Sequence, residues 1–262
     1  MNLQPPFRPV PRRGERAFTM VEIAICIAIV GFALVAIIGV LPSGVTVQKQ
    51  NREDTIINED GSLWLEAIRG GAVGLDYLTN NVDWIQIKTQ SPSYLGTNLF
   101  DYKQGYRNGR DIIGLLSLPK YLPDLGSHRD QWLTNTVQAF VHAVSGPAVD
   151  KTPHNDFGFF YRMTTELVPF NPAEGIMTNV SGASPVTQVD LFKRAANLGQ
   201  NLYNLRLTFD WPVYQTKNGP RVGNNRKVFS TLVSGSLTTT SVSYLQGTTL
   251  YFLQPSQFVF VQ

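Results

Sequence analysis

The sequence predicts an α+β protein in which a long N-terminal helix, one half transmembrane and one half amphipathic, packs on a C-terminal antiparallel sheet. Three observations carry that expectation. Residues 23–41 form an apolar run without charge. Apolar residues then recur at helical spacing over 56–68. Period-two alternation follows in several runs between 157 and 253. The expected divisions are a basic leader at 1–17, a membrane helix at 18–42, an amphipathic helix at 43–71 and a sheet-containing domain at 72–262.

Charge separates the first division from the rest. The 262 residues carry a formal charge of +3. Arg8, Arg12, Arg13 and Arg16 against Glu15 place that whole excess in 1–17, and the remainder is neutral. A generally nucleic-acid-binding domain is therefore not expected. The one cysteine, Cys26, lies in the apolar run, so no intrachain disulfide can form.

The apolar run is nineteen residues long. As a helix it would extend roughly 28 Å, the thickness of one bilayer core. Four arginines precede it and the next cation is Lys49, which puts the N-terminus on the cytoplasmic side. A cleaved secretory signal would have a shorter core ending in small residues, whereas this run ends in Leu41-Pro42. A plain signal anchor has no need of Glu22. One reading of that residue is a carboxylate snorkelling to the headgroups. The other is a carboxylate kept at the edge of lipid for a partner.

The segment RGERAFTMVE resembles the processing motif of type IV pilins and type II secretion pseudopilins: a basic leader, a small residue, Phe, a Glu four positions later, then an apolar helix. The resemblance covers about 30 residues. It implies a pilin-like fold, cleavage between Ala17 and Phe18 by a prepilin peptidase, and N-methylation of Phe18. It also implies that Glu22 pairs with the terminal ammonium of an adjacent subunit during assembly. Ala17 stands where the family usually has Gly, which predicts slower or normal processing. Gly14 is a poorer site, because cutting there would place Glu15 first. Gly31, Gly39 and Pro42 fit either a helix segment that can stretch or close helix packing with a kink at Pro42.

Beyond Pro42, Ile56, Leu63 and Ala67 form one stripe and Ile57, Trp64 and Ile68 the next. Gln48, Arg52, Glu53 and Glu59 fall off these stripes, Gly61 weakens the helix locally, and Gly70-Gly71 ends it. Residues 72–135 contain short apolar clusters such as Ile112-Ile113 and Leu115-Leu116, broken by Gly, Pro and Asn, and read as loops and short helices with room for a minor strand. Strands are expected at 157–164, 203–211, 227–234, 240–245 and 249–253. The turn-rich QTKNGPRVGNN reads as a long hairpin loop. A short helix is expected from Ser184-Pro185 to Gly199 with Val189, Phe192 and Ala196 on one face. Trp64, Trp84, Trp132 and Trp211 are expected in the core or at subunit contacts.

Chemistry is sparse. His128, His142 and His154 lack metal-ligand spacing, and SHRD and PHND read as turns. Asp124, Asp130 and Asp156 lack the spacing of a calcium loop. Lys217, Arg221, Arg226 and Lys227 read as a solvated basic loop rather than a phosphate contact. No catalytic residue, metal or cofactor is expected. The sequence thus points to a minor pilin or pseudopilin of a type IV pilus or type II secretion-like filament, held in a bacterial inner membrane by one span. Its expected partners are the peptidase, other pilin subunits and inner-membrane lipid. The alternative is a membrane-anchored adhesin or ligand-binding module, with a tethered enzyme as a third reading.

Overall fold

A computed structural model describes residues 18–71, 74–90, 97–103, 108–123, 132–145, 159–170, 194, 197–217, 219–245 and 247–260. The chain divides into two compact units between Arg52 and Glu53.

The first unit holds the start of helix α1, which spans Met20–Arg69. Residues 18–52 are exposed throughout. Pro42 lies inside the helix, where an interruption was expected. It removes one backbone donor, and Thr46 Oγ1 donates to its carbonyl at 2.9 Å.

The second unit begins with the remainder of α1. Its buried residues are Glu53, Ile56, Ile57, Asp60, Gly61, Trp64, Ala67 and Ile68. That i, i+3, i+4, i+7 stripe is one helix face. Gly61 sits where the helix crosses the sheet: a Cβ there would meet the Phe229 ring at 2.6 Å. The residue expected to weaken the helix instead permits its close approach. The helix closes at Gly71, whose φ of 55° suits glycine.

A short 3-10 turn at Asp76–Asn80 leads into β1 (Val82–Gln90) and β2 (Thr97–Lys103). Helix α2 (Gly109–Leu116), capped by Asn108, and β3 (Tyr121–Pro123) follow. The sheet is completed by β4 (Trp132–His142), β5 (Phe160–Pro169), β6 (Leu202–Thr216) and β7 (Gly219–Ser234). Its order is β2-β1-β4-β5-β6-β7, with β3 added beside β4. All of these pairings are antiparallel. Strands β8 (Ser236–Val242) and β9 (Thr248–Gln254) form a separate two-stranded sheet.

Alternation along β4, β5 and β6 places Val137, Ala139, Val141, Tyr161, Met163, Leu205, Leu207 and Phe209 in one core with Ile57, Trp64 and Ile68. Leu250 and Phe252 of β9 and the apolar pairs of α2 belong to the same core. The opposite face carries a smaller cluster of Phe140, Phe160 and Val213, with Trp84 and Val222 against it. Trp84 stacks on Phe140 with centroids 4.2 Å apart.

Two sequence expectations are corrected. Residues 82–90 form a nine-residue interior strand where a minor strand at most was expected. The stretch QTKNGPRVGNN is mostly strand: β6 and β7 pair out to Thr216 and Gly219, with a register irregularity between Trp211 and Val213. Cross-strand pairing over so long a hairpin overrides the turn preference of single Gly and Asn residues. The helix expected at 184–199 lies outside the described residues apart from Arg194 and 197–199; 197–201 are helical.

Candidate functional site

The expected processing and assembly residues lie at the start of α1. Ala17 is outside the described residues. Phe18 precedes the helix and is 80% exposed. Thr19 caps the helix, and Glu22 closes a reciprocal box with it. Thr19 N donates to Glu22 Oε2 at 2.9 Å, Thr19 Oγ1 donates to the same oxygen at 3.0 Å, and Glu22 N donates to Thr19 Oγ1 at 3.3 Å. This S/T-x-x-E arrangement satisfies backbone donors that the first helical turn leaves open. Such capping has a particular value at the end of an apolar helix, where an unsatisfied N–H in hydrocarbon costs several kcal/mol.

The surface that follows decides what the helix requires. Twelve Ile, Val, Leu and Phe side chains within 23–41 are exposed. Fully burying one such side chain is worth about 1.5–3 kcal/mol. Half of that, summed over the twelve, is about 9–18 kcal/mol, as large as the roughly 5–15 kcal/mol net stability of an ordinary domain. The helix is long and apolar enough to cross a membrane.

The second unit holds polar groups that the sequence reading did not find. Asp60 is fully buried. It accepts hydrogen bonds from Val144 N at 3.0 Å, Ser145 N at 2.9 Å, Tyr161 Oη at 2.8 Å and Ser145 Oγ. Trp64 Nε1 in turn donates to Tyr161 Oη at 2.9 Å. Burial pushes the Asp60 carboxyl above the ordinary range, although hydrogen bonds from Ser145, Val144 and Tyr161 oppose that shift. Glu53, expected off the apolar stripe, is instead buried and accepts from Trp211 Nε1 at 3.2 Å. A signal for both was present: residues 53, 57, 60 and 64 share a helix face.

Asp210 lies on the opposite sheet face between two guanidinium groups. Arg162 Nη2 donates at 2.7 Å and Arg226 Nε at 2.6 Å. The three residues are directly cross-strand, so the ion pairs tie β5, β6 and β7 together. Burial works to raise the Asp210 carboxyl, but the bonds from Arg226 and Arg162 outweigh it and hold it below the usual carboxylate range. Arg226 is thus a sheet constituent, not part of a solvated loop.

His142 falls in β4, with Nε2 3.2 Å from Asp83 Oδ2 and its ring stacked on Phe160. His128, His154, Asp124, Asp130, Asp156 and the side-chain packing of Trp132 lie outside the described residues. Among the described residues, no group of three or more His, Cys, Asp or Glu is placed to hold a metal ion. The polar arrangements of this unit cross-link helix, loop and sheet. Neither a protein-family model, a curated protein nor a solved structure matches the chain.

Proposed function

We propose that this chain is a minor pilin or pseudopilin, a structural subunit that enters a type IV pilus or type II secretion-like filament from a bacterial inner membrane. The single observation that supports the reading most is the helix start: an exposed Phe18, the Thr19–Glu22 box and an apolar surface with no partner within its own unit among the described residues. Lipid satisfies that surface before assembly, and like helices of other subunits satisfy it afterwards.

In this reading the basic leader 1–17 stays cytoplasmic until a prepilin peptidase cuts between Ala17 and Phe18. The new ammonium on Phe18 is then methylated. Glu22 meets the terminal ammonium of a neighbouring protomer, since two charges entering an apolar bundle are tolerable only when they pair. The sheet domain stays outside the membrane, and the chain itself performs no covalent chemistry.

Intact-mass measurement and N-terminal sequencing of the protein from cells with an active peptidase test the reading. It predicts a chain that begins with N-methylated Phe18. Retention of 1–17 in such cells would overturn it. The alternative, a pilin-like anchor bearing an adhesin or ligand-binding domain, predicts that Glu22→Ala leaves the protein's behaviour unchanged. A filament subunit bearing Glu22→Ala is processed, stays in the membrane and fails to enter filaments.

A further inference from the structure

We propose that the outer edge of β7, unpaired among the described residues, receives an extended, acidic segment of a partner protein, added to the sheet as a further strand. β7 is terminal in the sheet order and its strand partner is β6. Among the described residues, no backbone group within 219–234 hydrogen-bonds to any element other than β6. An open edge of this length is normally blunted by proline, a bulge, cations or a covering element.

β7 is blunted over one half only. Its first half has Pro220, the irregular register opposite Trp211 and Val213, and the cations Arg221, Arg226 and Lys227. Its second half, VFSTLVS at 228–234, has no charge, proline or glycine. It is rich in residues that favour pairing. Val228 and Leu232 project from it 44% and 55% exposed. That half is a strand template with two apolar footholds.

Charge selects the occupant. Residues 217–234 hold four cations and no carboxylate. Asp210, the acid beside this strand, is shared between Arg162 and Arg226, so the two arginines leave an excess positive charge there. A second copy of this chain, aligned along the whole edge by a two-fold axis, would set Arg226 or Lys227 against the same residue of its mate, and like charges directly opposite are destabilising. A segment with alternate apolar residues beside 228–234 and acids beside 217–227 complements both halves. Main-chain bonds would supply affinity, and the apolar and cationic side chains would supply selection.

The test uses the full chain in detergent micelles and a fluorescein-labelled synthetic peptide of alternating valine and threonine ending in a run of glutamates. Fluorescence anisotropy should show saturable binding. Lys217→Glu with Arg221→Glu, both exposed positions, should weaken it about tenfold. Val228→Lys with Leu232→Lys should abolish it while leaving the circular dichroism and urea midpoint unchanged. Equal binding of a lysine-ended peptide, or no saturable binding, would overturn the proposal. So would binding of a labelled oligothymidylate that is lost in the Lys217/Arg221 variant, because that assigns the edge to nucleic acid. A concentration-dependent dimer in sedimentation, lost in the Val228/Leu232 variant, would assign it to a second copy. None of these outcomes depends on leader cleavage or filament entry.

Discussion

Replacing Asp60 with Ala should cost about 3 kcal/mol of stability, because it strands several donors at once. The largest loss is at Tyr161 Oη, which is fully buried and donates to Asp60. A buried donor left without an acceptor costs about 1–3 kcal/mol. Val144 N, Ser145 N and Ser145 Oγ lie in a half-buried stretch, where water can replace the carboxylate, so each contributes less. Trp64 Nε1 keeps its acceptor, the oxygen of Tyr161. Relief of the buried carboxyl's desolvation offsets part of the loss. Urea unfolding of the full chain in micelles, followed by tryptophan emission, measures the total. Tyr161→Phe removes one of the same bonds and leaves Trp64 N–H without its acceptor. The double variant should therefore be non-additive by about 1 kcal/mol. Additivity within about 0.3 kcal/mol, or an Asp60→Ala loss under about 1 kcal/mol, would refute the shared network.

Further outcomes follow from the same geometry. The folded pKa of Asp60 is raised, so its protonation-linked contribution is complete below the unfolded value near 3.9 and is lost as pH rises through the folded value. The stability advantage of wild type over Asp60→Asn should thus shrink as pH rises above about 4. The sign is opposite at Asp210, whose folded pKa is lowered: its contribution is present above the unfolded value and is lost as pH falls through the folded one, so Asp210→Asn should flatten the acid limb of the stability curve below about pH 4. Gly61→Leu should destabilise the chain by about 1–3 kcal/mol in urea unfolding, because overpacking against Phe229 outweighs the roughly 1 kcal/mol helix-propensity gain. Glu22→Gln should keep the box with Thr19 and yet block filament entry by immunoblot of sheared filaments, whereas Thr19→Ala should weaken the cap, at about 1 kcal/mol, and still permit entry.

Much of this architecture is legible because it depends on periodicity. The stripe through Ile57, Trp64 and Ile68 and the alternation of Tyr203, Leu205, Leu207, Phe209 and Trp211 both face one core. What escapes is whatever depends on a distant partner. Asp60 occupies a core position of the helix, but nothing local announces that a loop at Val144 and Ser145 brings two N–H groups to it. Gly61 reads as a weak point until Phe229 is seen beneath it. β1 is missed because its alternation, Ile85 and Ile87 against Gln86 and Lys88, is brief and is interrupted between Val82 and Trp84, and it is stabilised by neighbours more than forty residues away in β4. At the N-terminus the legible part is the residue order through Phe18 and Glu22. The box between Thr19 and Glu22 is also written there as T-x-x-E, but the segment that resembles a processing motif overlies it.

That overlap bears on how Glu22 can serve both the cap and the proposed assembly contact. The bonds from Thr19 both reach Oε2. An ionised carboxylate offers about four acceptor sites, so the helix cap consumes only part of its capacity and leaves Oε1 for a cation. The cap does not neutralise the charge, because its donors are a neutral amide and a hydroxyl. A capped Glu22 entering lipid therefore keeps its electrostatic demand while its side chain is held against the first turn. Holding the rotamer in advance lowers the entropy lost when a neighbouring ammonium arrives. A free snorkelling glutamate would lose that rotamer freedom on pairing. The cap is thus not a rival to the proposed assembly role: it fixes where the negative charge stands relative to the helix axis, which is the property that the proposed register-setting charge needs.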